Sequence, residues 1–446
     1  MREMACGKSA TAIGTFHFPR SVRRSSAIRG NASLFVLLLA SSPLRAQSPS
    51  DPLIVPENEV VDLSRNNIQL PGGRKGWDGF DDKLDKLFFE GEGQVNIVHI
   101  GGSHIQADAW TAELRHRIQT VAPGTRAGRG FIFPYNMAGS NNPYWYEPVY
   151  TGKWTPLKNT ARADSLPLGL AGYEVTTRDT STALRISFRG DMYAGYTFTR
   201  ATVLHGSDSS FVVSATCHDT GVVITYASDV LAGRTVFEFS EPQDTLWLRF
   251  EQTDMLTQDR FTLRGILLES DDPGIYYHAL GVNGAATWSW LRCRRLEEDL
   301  ALVKPDLVVF SIGINDAHDP DFCASCYEKN YDKLIAQVHK VDPKAAVLLV
   351  TNSDSFRKRR YPVRNADEVR EVMMRLAAKH GAGVWDLYGV MGGQGSIRRW
   401  QRQGLAKRDL IHFTRQGYTM IGDLMFTAIM KEYGEHVQRT ALTNGR

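Results

Sequence analysis

The chain has 446 residues, with 52 Lys and Arg against 49 Asp and Glu, and it is 42% hydrophobic and 10% aromatic. So ordinary a composition excludes a disordered, fibrous or low-complexity chain, and the length leaves room for two or three domains with cores of their own. The formal charge of +3 would suit a nucleic-acid partner only if it belonged to the folded part.

It belongs to the N-terminus. Residues 1–46 carry seven bases (Arg2, Lys8, Arg20, Arg23, Arg24, Arg29, Arg45) against one acid, Glu3, and contain the apolar run from Ala32 to Ala40. A basic stretch, a short apolar run and Ala46 before Gln47 read as a cleavable secretory leader, because a bilayer span needs roughly 20 apolar residues. An uncleaved anchor is the competing reading. Without 1–46 the chain holds 45 Lys and Arg against 48 Asp and Glu, a net −3, which withdraws the nucleic-acid partner. No later segment reads as a membrane span, so the expectation is a periplasmic or secreted protein with no stable membrane insertion after cleavage.

Residues 47–74 are polar and hold Pro49, Pro52, Pro56 and Pro71, the composition of a linker or surface arm. Helical spacing over 79–90 is followed by Val95–Ile100 as a buried strand, a Gly-Gly turn and a helix from about 108 to 121. Between 131 and 270 the character changes to short alternating segments, among them 183–188, 210–214, 222–226, 235–239, 246–250 and 261–264. Seven or eight such strands imply an antiparallel β-sandwich or jelly roll. From 271 to 446 strands near 275–281, 306–312, 345–350 and 383–386 alternate with helical patterns near 286–301, 327–341, 364–380 and 414–433, as in a parallel sheet covered by helices. The expectation is one α/β domain (75–130 and 271–446) interrupted by a β domain (131–270).

Four strand or loop ends carry chemistry. Ile100-Gly101-Gly102-Ser103-His104 is a strand, tight turn and Ser at a helix start, a way to expose a nucleophilic hydroxyl. Such a hydroxyl needs an imidazole, and the imidazole needs a carboxylate. Of the 12 His, only His412 has an Asp three positions earlier, Asp409. Phe310-Ser311-Ile312-Gly313-Ile314-Asn315-Asp316 ends a strand with an Asn able to donate to an oxyanion, and Gly281-Val282-Asn283-Gly284-Ala285 offers a backbone N–H that can approach a ligand closely.

In order, Gly101-Gly102-Ser103, Gly284, Gly313-Ile314-Asn315-Asp316 and Asp409-Leu410-Ile411-His412 resemble the four blocks of the SGNH (GDSL-like) hydrolases. The resemblance implies a three-layer α/β/α flavodoxin-like fold. It implies Ser103 as nucleophile, His412 as general base and acid, Asp409 as orienting carboxylate, and an oxyanion hole from the Ser103 and Gly284 amides and the Asn315 side chain. Gly281 is the alternative to Gly284. Gly102 stands where the family usually has Asp. With its β-rich insertion the chain is similar to the peptidoglycan O-acetylesterases of the bacterial envelope. That implies a secreted serine esterase acting on an O-acetylated glycan, with no metal or cofactor. An O-acetyltransferase using the same acyl-enzyme and a glycan-binding envelope protein are the alternatives.

Other features stay open at this level. Cys323-Ala-Ser-Cys326 reads as a local disulfide or free thiols, since no second close pair completes a zinc site. Arg357-Lys358-Arg359-Arg360, with Arg364 nearby, reads first as a solvated charge run and second as a contact for an anionic glycan. Tyr144-Trp145-Tyr146 and Trp154 read first as core and second as sugar-stacking rings.

Overall fold

The computed structural model describes residues 2–4, 58–190, 195–207, 210–219, 221–254 and 259–443. The leader expected over 1–46 thus lies outside the described residues, apart from Arg2–Met4, a short strand paired antiparallel with residues 224–226.

One six-stranded sheet runs in the order Gly274–Gly281, Gln94–Gly101, Leu307–Ser311, Ala346–Val350, Gly383–Trp385, Ile68–Gln69. The first five strands are parallel and the last is an antiparallel edge. These strands read as continuous apolar runs because helices cover both faces. Along Gln94–Gly101, Val95 and Ile97 pack with Trp110, Leu114 and Ile118 and with the long helix Arg415–Thr443. Val98 and Ile100 point the other way, into a core shared with helices Ala324–Val341 and Ala366–His380 and with the β-rich region.

The strand order fixes where the site lies. The chain leaves Gln94–Gly101, returns on one side of it as Gly274–Gly281, then crosses to the other side as Leu307–Ser311. The reversal opens a crevice at the carboxyl ends of these strands, the place where doubly wound sheets bind ligands. Ser103 and Asn315 both sit just past those ends.

Antiparallel strands run from Gly130–Ile132 to Phe261–Glu269 in two sheets. In Thr245–Gln252, Leu246, Leu248 and Phe250 turn inward, and Phe250 stacks on Phe261 of the opposite sheet with ring centroids 4.6 Å apart. Strands here exceed the seven or eight expected. Phe198–His205, for one, is buried at every position from Ala201 onward, so it lacks the alternation that marks a half-exposed strand. Arg264 of the last strand pairs with Asp299 at 2.8 Å, both buried, which ties this region to a helix beside the parallel sheet.

Two further expectations are corrected. The pattern at 286–301 forms two helices, Thr287–Leu291 and Leu296–Val303, because residues 166–168 thread between them and bond the backbone of Arg292, Arg294 and Arg295. The linker segment is ordered in its last part. Ile68–Gln69 joins the sheet, and the buried Asn66 accepts from Trp385 Nε1 and donates to the Leu424 carbonyl. Cys323 and Cys326 form a disulfide, and Cys293 is buried. Among the described residues no helix is long and apolar enough to cross a membrane.

Candidate active site

Ser103 opens the short helix Ser103–Gln106, directly after the Gln94–Gly101 strand and the turn residue Gly102. His412 reaches it from 309 residues away. The long helix Arg415–Thr443 begins beyond Thr414, whose hydroxyl accepts from the Gly417 amide, and it packs on Trp110–Gln119, the helix that follows Ser103. Packing of these two helices therefore sets the spacing between the two side chains.

The Ser103 hydroxyl lies 2.9 Å from His412 Nε2, and His412 Nδ1 lies 2.9 Å from Asp409 Oδ2. The carboxylate requires the proton on Nδ1, which leaves Nε2 as the acceptor for the Ser103 O–H. Asp409 Oδ1 meanwhile accepts the amides of Ile411 and His412 at 3.0 and 2.9 Å. Burial opposes these bonds, but together they hold the Asp409 carboxyl below its ordinary value.

A cleft of about 560 Å³ opens over this trio and is lined in part by Ser103, Gly284, Asn315, His318, Lys407 and His412. Gly284 faces it with φ +82°, a left-handed conformation that favours glycine. Gly281 is buried instead, with no room for a side chain: a Cβ there would stand 2.0 Å from the Gln106 nitrogen. Gly284 is thus the residue presented to the cleft. Among the described residues neither the Ser103 nor the Gly284 amide is committed to a backbone carbonyl. Asn315 Nδ2 gives one hydrogen to the Ala285 carbonyl at 2.8 Å, which aims the amide and leaves its second hydrogen available. Asp316 accepts from the Thr287 amide and hydroxyl, fastening the Asn315 turn to the helix that follows Gly284.

Gly102 leaves the turn otherwise supported. Its carbonyl accepts from Ile105 and Gln106 at 3.1 and 3.0 Å, and a Cβ at this position would meet nothing nearer than Asn315 Nδ2 at 3.5 Å. Gln106, which residue types and spacing alone did not single out, supplies most of the side-chain bracing. Its carbonyl oxygen accepts the Asn283 amide at 2.8 Å, and its NH₂ donates to Ser140 Oγ and the Asn141 carbonyl. One buried side chain thereby joins the Ser103 helix, the Gly284 loop and the edge of the β-rich region. Its position three residues after Ser103 was the only available signal.

His104 was also unread. Its Nδ1 lies 2.8 Å from Tyr418 Oη and its ring centroid 5.1 Å from that of His412. Burial, with His412 beside it, pushes its pKa down to about 3, so a neutral ring flanks His412. Of the aromatic stretch, Trp145 and Tyr146 are buried, with Trp145 Nε1 donating to the Asp108 carbonyl. Tyr144 alone is exposed, under the guanidinium groups of Arg189 and Arg415. Among the described residues no cluster of His, Cys, Asp and Glu could hold a metal.

Residues 258–420, which hold Gly284, Asn315, Asp409 and His412, match the model of the GDSL-like lipase/acylhydrolase family. This part of the chain is a GDSL-like acylhydrolase. The chain shares its fold with a peptidoglycan O-acetylesterase of solved structure, at 21% identity, with 82% of this chain and 99% of that one covered and a TM-score of 0.67. A lipase/acylhydrolase from Enterococcus faecalis is 25% identical over 36% of this chain and 77% of its own, with a TM-score of 0.29. For the acetyl xylan esterase AlAXEase the values are 21%, 35%, 81% and 0.29. No curated protein matches the chain. The acylhydrolase is accordingly a carboxylic ester hydrolase with an α/β/α layer and additional antiparallel sheets.

Proposed function

We propose that this esterase removes O-acetyl groups from a glycan, most specifically peptidoglycan, through an acyl-enzyme on Ser103. The observation that carries the chemistry is the unbroken chain Ser103 Oγ, His412 Nε2, His412 Nδ1, Asp409 Oδ2, with both links at 2.9 Å, beside the Gly284 amide and Asn315 in one cleft. The choice of peptidoglycan is supported by the fold shared with a peptidoglycan O-acetylesterase over 82% of the chain. The reading of 1–46 as a leader supports action in the periplasm or outside the cell.

In this mechanism Ser103 Oγ bonds to the acetyl carbonyl carbon while its proton passes to His412 Nε2, and Asp409 stabilises the imidazolium. The carbonyl oxygen takes the electron pair and is met by the Ser103 and Gly284 N–H groups and Asn315 Nδ2, donors that act fully only once the charge has formed. The sugar oxygen leaves with the proton from His412. Water then attacks the acetyl-serine, gives its proton to Nε2, and acetate departs as Ser103 recovers its hydrogen. Ser103→Ala should abolish acetate release from p-nitrophenyl acetate and from O-acetylated peptidoglycan. Undiminished release by that variant would overturn the assignment. Transfer of acetyl to an added glycan in preference to water would point instead to an acyltransferase.

A further inference from the structure

The cations Arg357 to Arg360 lie on an exposed antiparallel hairpin formed by Phe356–Arg357 and Tyr361–Pro362. Its base is joined to the active site. The Phe356 amide donates to the carbonyl of Leu410, inside the Asp409–His412 loop. Ser355 Oγ lies 2.9 Å from Nε2 of His318, which lines the cleft, and Arg357 acts electrostatically on that His318. Arg398 covers the buried Phe356 ring with its guanidinium carbon 4.4 Å from the centroid, and Lys407 lines the cleft from the other side of the same loop.

None of Arg357, Lys358, Arg359, Arg360, Arg398 and Lys407 has a carboxylate within ion-pair distance among the described residues. Like charges this dense repel one another and weaken the compact state unless an opposite charge meets them. The tip is also costly in its backbone. Lys358 and Arg359 have φ of +51° and +59°, a conformation that disfavours ordinary residues by roughly 1–2 kcal/mol each and for which turns use Gly or Asn. Tyr361, 54% exposed, adds a ring beneath Arg360. Local stability is thus given up to hold cations and an aromatic face at the edge of a cleft that accepts a glycan ester.

We infer that this hairpin is a substrate-docking arm that reads carboxylates on the glycan strand flanking the ester in the cleft. The inference rests on the proposed function for the identity of the ester. Lys407 and Arg357 meet the groups nearest the reacting sugar, and the tip meets those further along the strand. The arm selects acidic glycans over neutral ones and leaves the chemical step untouched.

The test is a variant with Arg357, Lys358, Arg359 and Arg360 all changed to Gln, compared with the wild type on p-nitrophenyl acetate, O-acetylated peptidoglycan and water-soluble cellulose acetate. All four side chains are exposed, and circular dichroism verifies the fold. Expected are unchanged kcat on p-nitrophenyl acetate, unchanged kcat/KM on the neutral cellulose ester, and kcat/KM on peptidoglycan lower by on the order of tenfold, through KM. Raising NaCl from 0.05 to 0.5 M should weaken the wild type on peptidoglycan and leave the variant flat. Equal losses on neutral and acidic glycans, or no loss on either, would overturn the inference. So would loss of binding to phosphatidylglycerol vesicles with glycan kinetics unchanged, which would mark a membrane contact. Binding of polygalacturonate, which carries carboxylates and no acetyl ester, is measured alongside. If the wild type deacetylates no glycan, the proposed function fails, and the difference in polygalacturonate binding still decides the role of the hairpin.

Discussion

Asp409→Asn isolates the tautomer of the candidate base from the fold of its loop. The wild-type carboxylate divides its work: Oδ1 takes two backbone amides and Oδ2 takes His412 Nδ1–H. Asn can keep its oxygen on the amides, so the loop that positions His412 survives, but its NH₂ then faces Nδ1 as a donor. Nδ1 must become the acceptor, the proton moves to Nε2, and Nε2 no longer receives the Ser103 proton. Loss of the correct tautomer costs ~10⁴ in kcat, or about 5.5 kcal/mol of transition-state stabilisation. The stability loss should be about 1 kcal/mol or less, because the pair is partly exposed, with 32% and 42% of the two side chains accessible. Asp409→Ala should lose similar activity and a further ~1 kcal/mol for each amide left without its partner. Initial rates on p-nitrophenyl acetate, paired with urea unfolding, separate the two effects. An Asn variant that keeps more than about a tenth of wild-type kcat would refute the reasoning.

Three other outcomes are expected. Gly281→Ala drives a methyl into the Gln106 backbone and should cost more than ~10-fold in kcat together with a lowered unfolding midpoint; an unperturbed variant would show that the Gly284 loop tolerates displacement. Gln106→Met removes both its acceptor and its donors at similar volume, whereas Gln106→Glu keeps the acceptor for the Asn283 amide; kcat should fall on the order of tenfold for Met and recover in part for Glu, with KM for p-nitrophenyl acetate little changed in either. His278 is buried and accepts the Phe131 amide on Nδ1 at 2.9 Å, and burial, with Arg129 and Arg115 nearby, pushes its pKa down to about 3. The unfolded chain binds that proton below about pH 6.5 and the folded one does not, so stability falls as pH drops from 6.5 toward 3. At pH 5 the loss reaches roughly 2 kcal/mol. His278→Asn should flatten the slope of urea stability against pH by about one proton in that window.

The parallel strands were legible because strands covered on both faces are continuous apolar runs, and their ends came within a residue or so of expectation. The candidate site blocks stood out because three of them follow strands of the parallel sheet and the fourth lies in the loop before the last helix. What one dimension concealed was chiefly what the third supplies. The break between Leu291 and Leu296 comes from a distant segment, residues 166–168, lying across it. Ile68–Gln69 is a strand only because Gly383–Trp385 offers it an edge. Gln106 and His104 matter through partners at 140–141, 283 and 418, and closeness to Ser103 is all that their own neighbourhood in sequence shows of them.

The 309-residue gap between Ser103 and His412 also has a meaning in time. At synthesis rates of about 5–20 residues per second, the ribosome reaches His412 roughly 15–60 s after Ser103, and the helix that seats His412 emerges later still. On the proposed mechanism, the nascent polypeptide has for that whole interval a serine with no proton acceptor and cannot turn over esters. On that reading, catalytic competence would appear only once the helix Arg415–Thr443 has been made.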